Sequence, residues 1–180
     1  MDCRVKVIGA GLAGCEAALQ LAKNGVAVDL YEMRPNKTTG AHSTQNPAEF
    51  VCSNSLGSID PTNASGLLKQ EMSILGSFLI QVAHEVKVPA GNALAIDREL
   101  FSQKVEQLLQ EHNINIIREE VKTIPQKGPV IMASGPLTSE ALAENIKSFT
   151  GSEHLHFFDA IAPIVEKDSI NFDKAFYASR

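Results

Sequence analysis

The residues best placed to do chemistry are the run Gly9-Ala10-Gly11-Leu12-Ala13-Gly14 and an acid that follows it, Glu32. The run comes directly after the apolar Val5, Val7 and Ile8, and it opens the helical pattern Cys15-Glu16-Ala17-Ala18-Leu19-Gln20-Leu21-Ala22. A second apolar run, Val26 to Tyr31, then ends on Glu32. Strand, glycine turn, helix, strand and acid in this order make a dinucleotide-binding unit. Gly9 permits the tight turn, Gly11 lets a pyrophosphate approach the backbone, and Gly14 lets the helix lie close on the strand. The helix N-terminus supplies N–H groups and the positive end of its dipole to phosphates. Glu32 is set to accept hydrogen bonds from ribose hydroxyls. Ala10, Leu12 and Ala13 belong to the same cofactor-facing segment. A second chemical candidate is Cys52, in the polar run Cys52-Ser53-Asn54-Ser55. A thiolate there would be a strong nucleophile, whereas strand and helix packing account for Cys3 and Cys15.

The elements that must position these residues follow from periodicity and punctuation. Strands are predicted over 3–8 and 26–31, with a helix over 12–24 stopped by Asn24-Gly25. Residues 34–64 form a long segment rich in Thr, Ser, Asn and Pro, and a loop of that length in a compact domain is usually functional or disordered. From Gly66 the apolar positions Leu67, Leu68, Met72, Leu75, Phe78, Leu79, Val82 and Val86 recur at helical spacing and read as core. Val88-Pro89-Ala90-Gly91 breaks the chain. Asp97 is the expected N-cap of a helix carrying Leu100, Phe101, Val105, Leu108 and Leu109. Strands follow at 114–118 and 129–133, a helix at about 138–149, and a further strand is expected within 154–165. The alternation predicts an α/β, doubly wound, mainly parallel sheet.

Composition narrows the classes. The chain has 180 residues, 44% hydrophobic and 21% charged, with a formal net charge of −5. These are the proportions of an ordinary globular domain. An acidic balance argues against a self-sufficient nucleic-acid binder, though not against a nucleic-acid substrate held elsewhere. Three cysteines without a CxxC pair point to a reducing, cytoplasmic setting and to no structural zinc. His154 and His156 lack further ligands nearby in sequence, so no metal is expected. No stretch is apolar for long enough to span a membrane.

Two features favour FAD over NAD as the dinucleotide. Val130-Ile131-Met132-Ala133-Ser134-Gly135 resembles the second glycine motif of two-motif flavoproteins, where a later strand returns beside the first. Glu32-Met33-Arg34-Pro35, leading into a long loop, resembles the glutathione-reductase-like flavoproteins, in which the arginine approaches the cofactor. His42 is a further loop residue with a place near the flavin or folate, or with a purely local hydrogen bond.

Five stretches are more specific: Ala41-His42-Ser43-Thr44, Ala48 to Leu56, Gly66 to Met72, Val88 to Arg98, and Asp159 to Val165. Together they resemble the bacterial folate- and FAD-dependent tRNA (uracil-5-)-methyltransferase family from residue 4 to Arg180. The resemblance implies a Rossmann-like, glutathione-reductase-like FAD-binding fold with a loop–helix segment inserted at about 34–96. It also implies an activity: a methylene group from methylenetetrahydrofolate is placed on C5 of the T-loop uridine of tRNA, with reduced FAD as reductant and NAD(P)H as electron source. Cys52 matches a cysteine implicated in the family's catalysis; attack on uracil, action as a base and handling of the transferred carbon all stay open to it.

The pattern also departs from the family. Gly57 stands where many members carry an arginine, Asn92 where a glycine is usual, and Gly40 where a proline is usual. The match covers about the first two-fifths of a family chain. The expectation is therefore a truncated, amino-terminal part of the FAD-binding domain, with apolar surface exposed and most tRNA contacts made by parts it lacks. A paralogue acting on ribosomal RNA uridine, and a non-catalytic module binding FAD or an adenine nucleotide, are the alternative functions.

Overall fold

The computed structural model describes residues 4–51, 53–151 and 166–176. Strand β1 (Val5–Ile8) lies at the centre of the main sheet. Helix α1 (Leu12–Lys23) leads from it to β2 (Val28–Glu32). The sheet is completed by β6 (Ile116–Arg118) and β7 (Val130–Met132), in the order β6-β2-β1-β7. All its pairings are parallel, with Val7 opposite Leu30 on one side and Ile131 on the other. This is the mainly parallel α/β sheet expected. Its strands are buried apolar runs because helices cover a parallel sheet. Val7, Leu30, Ala18 and Leu19 are fully buried where α1 meets it.

Helix α1 forms because Cys15, Ala18 and Leu19 fall on one face and are buried together. It ends in a Schellman turn: Gly25 takes φ +73°, its N–H donates to Ala22 O, and Val26 N–H donates back to Leu21 O. Helix α4 (Arg98–Glu111) starts at Asp97, whose carboxylate accepts from the N–H groups of Glu99 and Leu100, both at 3.0 Å. It ends in a second Schellman turn, with Asn113 in the left-handed position at φ 56°. Phe101 of α4 meets Phe50 edge-on at 5.2 Å.

Between β2 and β6 the structure differs from the sequence reading in two ways. A small antiparallel sheet, β3 (Ser55–Ser58), β5 (Ala93–Ile96) and β4 (Lys87–Val88), was not foreseen. The apolar stripe from Leu67 to Val86 is two helices, α2 (Ala64–Ile74) and α3 (Phe78–Glu85), separated at Gly76 with φ +78°. Ser77 and the Glu16 carboxylate of α1 together cap α3: Glu16 accepts from the N–H groups of Phe78 and Leu79. Leu79, Val82 and Val86 are core, as expected, but Leu68 and Leu75 are 55% and 79% exposed. Only the second half of the stripe faces the sheet-and-helix core; α2 turns much of its apolar face outward. Helix α5 (Glu140–Thr150) follows β7, and a 3-10 turn spans Lys167–Ser169. The strand expected within 154–165 lies outside the described residues.

Candidate functional site

The three glycines of the first turn are required for three separate physical reasons. Gly9 has φ +103°, and a Cβ there would stand 2.6 Å from the Ala133 carbonyl oxygen and 2.8 Å from Ser134 Cα. The end of β7 therefore presses on the glycine turn. A Cβ on Gly14 would overlap the Gly9 carbonyl oxygen, so the helix sits as close to the turn as backbone allows. Gly11 is different. Its φ of −76° suits any residue, and a Cβ there meets no protein atom within 4 Å. Nothing among the described residues demands a glycine there; a ligand lying on the turn would.

A cavity of about 310 Å³ opens over this turn. Gly9, Gly11, Leu12 and Ala13 form one wall, and the first turn of α1 has N–H groups without intrahelical partners there. Ser134 to Ser139, between β7 and α5, form the opposite wall. Glu119 to Val121, after β6, line one end, and His42, Glu49 and Val51 line another part. Ala10 is fully buried beneath the turn and does not face the cavity. Its N–H donates to Glu32 Oε2 at 3.0 Å and its carbonyl accepts from Ala48 N–H at 2.8 Å. Its part is to hold the turn in shape.

Glu32 and Arg34 both line the cavity, and they are joined. Arg34 Nε donates to Glu32 Oε1 at 2.9 Å, and the Arg34 N–H donates to the same oxygen at 3.1 Å. Arg34 Nη1 donates to Glu49 Oε2 at 2.7 Å and to the Thr44 carbonyl at 3.1 Å. Only 1% of Arg34 is exposed. Burial pushes the Glu32 carboxyl up, but the Arg34 hydrogen bonds and charge, with the Ala10 N–H, outweigh it and hold the group below its ordinary value. Glu49 is held low in the same way: the N–H of Ser43 and the hydroxyls of Thr44 and Ser43, with Arg34, outweigh burial.

His42 lines the cavity with Nδ1 2.7 Å from the Thr39 hydroxyl. Burial and the Arg34 charge push its pKa down against the pull of Glu49 and Glu32. Cys15 is buried, and burial pushes its thiol up to about 12, which suits packing and not nucleophilic chemistry. Cys52, His154 and His156 lie outside the described residues; Val51, next to Cys52, lines the cavity. Among the described residues no group of three or more His, Cys, Asp or Glu side chains is arranged to hold a metal ion.

Sequence reading missed Glu49 and Arg118. Arg118 stands opposite Glu32 in the β2–β6 register and donates to the Arg34 and Gln45 carbonyls. Neither residue carries a spacing signal: Glu49 reaches the site through tertiary folding of the 35–50 loop, and Arg118 through the pairing of β6 with β2.

The parallel sheet, the glycine turn against a helix N-terminus and the acid at the end of β2 define a protein of the Rossmann-like α/β class. Within that class the chain belongs to the family described as glucose inhibited division protein A, whose model matches residues 4–180. It is 56% identical over 178 residues to a Sulfurihydrogenibium protein named methylenetetrahydrofolate--tRNA-(uracil-5-)-methyltransferase TrmFO, covering 98% of this chain and 41% of that one. A Desulfitobacterium hafniense protein of the same name is 58% identical over 177 residues, covering 98% and 40%. The chain thus spans about two-fifths of the length of the curated relatives it matches. Among solved structures, Aquifex aeolicus GidA shares the fold with a TM-score of 0.64 at 18% identity, covering 81% of this chain and 30% of that one.

Proposed function

We propose that this chain is the cofactor-binding, amino-terminal part of a cytoplasmic enzyme that methylates C5 of the T-loop uridine in tRNA, with methylenetetrahydrofolate as carbon donor. The observation that carries the reading is identity of 54–58% over 98% of the chain to proteins named for that reaction. The cavity supports FAD as the cofactor: Gly11 leaves open space over the turn, and Glu32 stands at the end of β2. Bound there, FAD would supply the reducing equivalents that turn a transferred methylene into a methyl group, with NAD(P)H as the electron source.

The residues of the chain have separable tasks in this reading. The first turn of α1 directs N–H groups at a pyrophosphate, and Gly11 lets it approach. Glu32 accepts from a ribose hydroxyl. Ala133 and Ser134, pressed against Gly9, and Gly135 after them form the opposite wall. Uracil C5 is a poor nucleophile until a thiolate adds at C6 or a base acts in its place, so Cys52 is the thiol we assign to the reaction. No helix among the described residues is long and apolar enough to cross a membrane.

The test joins this chain to the remaining part of the Sulfurihydrogenibium relative and measures label transfer from methylenetetrahydrofolate. Label at the T-loop uridine of tRNA, absent when that base is cytidine, is the expected result. Label in ribosomal RNA instead would identify the target as wrong. FAD bound with no methyl transferred would leave a non-catalytic nucleotide-binding module as the function.

A further inference from the structure

The buried group Glu32–Arg34–Glu49 has a role that neither the fold nor the relatives assign. An arginine following the acid of β2 was expected to approach the cofactor. It lines the cavity, but its side chain is almost wholly enclosed, and three of its N–H groups are spent on Glu32, Glu49 and the Thr44 carbonyl. Glu49 is itself fixed from the far side by the N–H and hydroxyl groups of Ser43 and Thr44. The next residue back, Ala48, takes φ 51° and donates to the Ala10 carbonyl. The 43–49 loop thus grips the guanidinium at one point and the phosphate turn at another.

Glu32 has roughly four acceptor positions. Two on Oε1 are taken by Arg34 and one on Oε2 by Ala10. The remaining Oε2 position is the one open to a ligand in the cavity that Glu32 lines. We propose that Arg34, locked by Glu49, is a positioning residue: it keeps the Glu32 carboxylate ionised and turned so that this last acceptor meets the ribose hydroxyl of the bound dinucleotide. The inference rests on the FAD reading for its ligand, but the geometry of the triad stands without it.

The charged and titratable groups around Glu32 leave this task to Arg34. Glu49 and His42 reach it from the loop, Cys15 from α1, and Arg118 from β6, where it binds the Arg34 and Gln45 carbonyls. Arg34 alone among them bonds the Glu32 carboxylate with its side chain. Without it, burial would act on Glu32 with little to oppose it, and the carboxyl would titrate above its ordinary 4.5.

The experiment compares the parent with Arg34→Gln, measuring FAD affinity by fluorescence from pH 5 to pH 8. The parent should vary little, because its Glu32 is ionised throughout. In the variant the affinity should fall on acidification, with the midpoint of loss raised by roughly 1–3 pH units. An equal loss at every pH would overturn the proposal, since a direct contact or a merely structural residue would behave that way. Should Arg34→Gln not fold, Arg34→Gln with Glu49→Gln removes one charge of each sign and should show the same acid limb. A second readout needs no cofactor: the Glu32 carboxyl is titrated by carbon-13 NMR, assigned with Glu32→Gln. A midpoint that stays below 4.5 after Arg34 is replaced sinks the proposal; a parent that takes up no FAD sinks only the FAD reading.

Discussion

At the scale of single residues, the three glycines of one turn should respond differently to substitution. Gly11→Val adds a side chain whose Cβ meets no described atom within 4 Å, so the fold should lose no more than about 1 kcal/mol, the cost of a poorer N-cap. FAD binding should nevertheless vanish, because the side chain fills the pyrophosphate position. Gly14→Ala drives a Cβ into the Gly9 carbonyl, a backbone group with no freedom to turn aside, and should unfold the domain. Thermal melts beside flavin-content assays separate the two, and a Gly11→Val protein retaining parental FAD affinity would remove the cofactor from this turn. The cysteines divide likewise. Cys15→Ala should cost about 1 kcal/mol of packing and leave chemistry intact. Cys52→Ala, in the joined protein, should abolish single-turnover methyl transfer while FAD stays bound. Near-parental rates would make Cys52 a structural loop residue.

At the scale of elements, caps carry measurable stability. Asp97→Ala deprives the Glu99 and Leu100 N–H groups of their acceptor and should cost about 1 kcal/mol in urea unfolding, with an unchanged m-value. An unshifted midpoint would mean that α4 is held by packing alone. This cap was legible in the sequence, as were α1, with its stop at Asn24-Gly25, and the parallel strands, because each depends on local spacing. The antiparallel sheet was not legible. Ser-Leu-Gly-Ser and Lys-Val are too short to show alternation, and they pair only because the chain folds back on Ala93–Ile96. The break between α2 and α3 was hidden because apolar spacing continues across Gly76. In the site, the glycine turn and the acid at the end of β2 stand out by local spacing, whereas the enclosure of Arg34 between Glu32 and Glu49 does not. Glu49, which holds it, is brought there by a loop whose course no periodicity encodes.

For the molecule as a whole, the buried triad predicts how stability depends on acidity. Glu32 and Glu49 both have carboxyls held below their ordinary 4.5 in the folded chain. The stability they contribute is complete above 4.5 and is lost as pH falls through their lower folded values. Denaturant midpoints should therefore decline steeply under acid, and Glu49→Gln should flatten that decline. A variant with the parental acid slope would place the sensitivity elsewhere. The exposed Leu67, Leu68, Ile74 and Leu75 of α2 and its end predict a second global property. Leu68→Gln with Leu75→Gln should reduce self-association in sedimentation while leaving the melting temperature within about 2 °C, since substitutions at exposed positions are close to neutral. Destabilisation by several degrees would show that these leucines pack against something within the chain.

The central place of β1 also has a consequence in time. Its partner on one side, β2, is close in sequence, but its partner on the other, β7, pairs Val130 with Lys6. Gly9 does not meet its second wall until Ala133 and Ser134 arrive. A ribosome delivering this chain from its N-terminus makes the glycine turn first and the Ala133–Ser134 surface that closes against it only after α4 and β6. Contacts that span so much sequence form slowly. The nascent protein is therefore expected to acquire its nucleotide late, after β7 has docked, with the helical and antiparallel segments between β2 and β6 already compact.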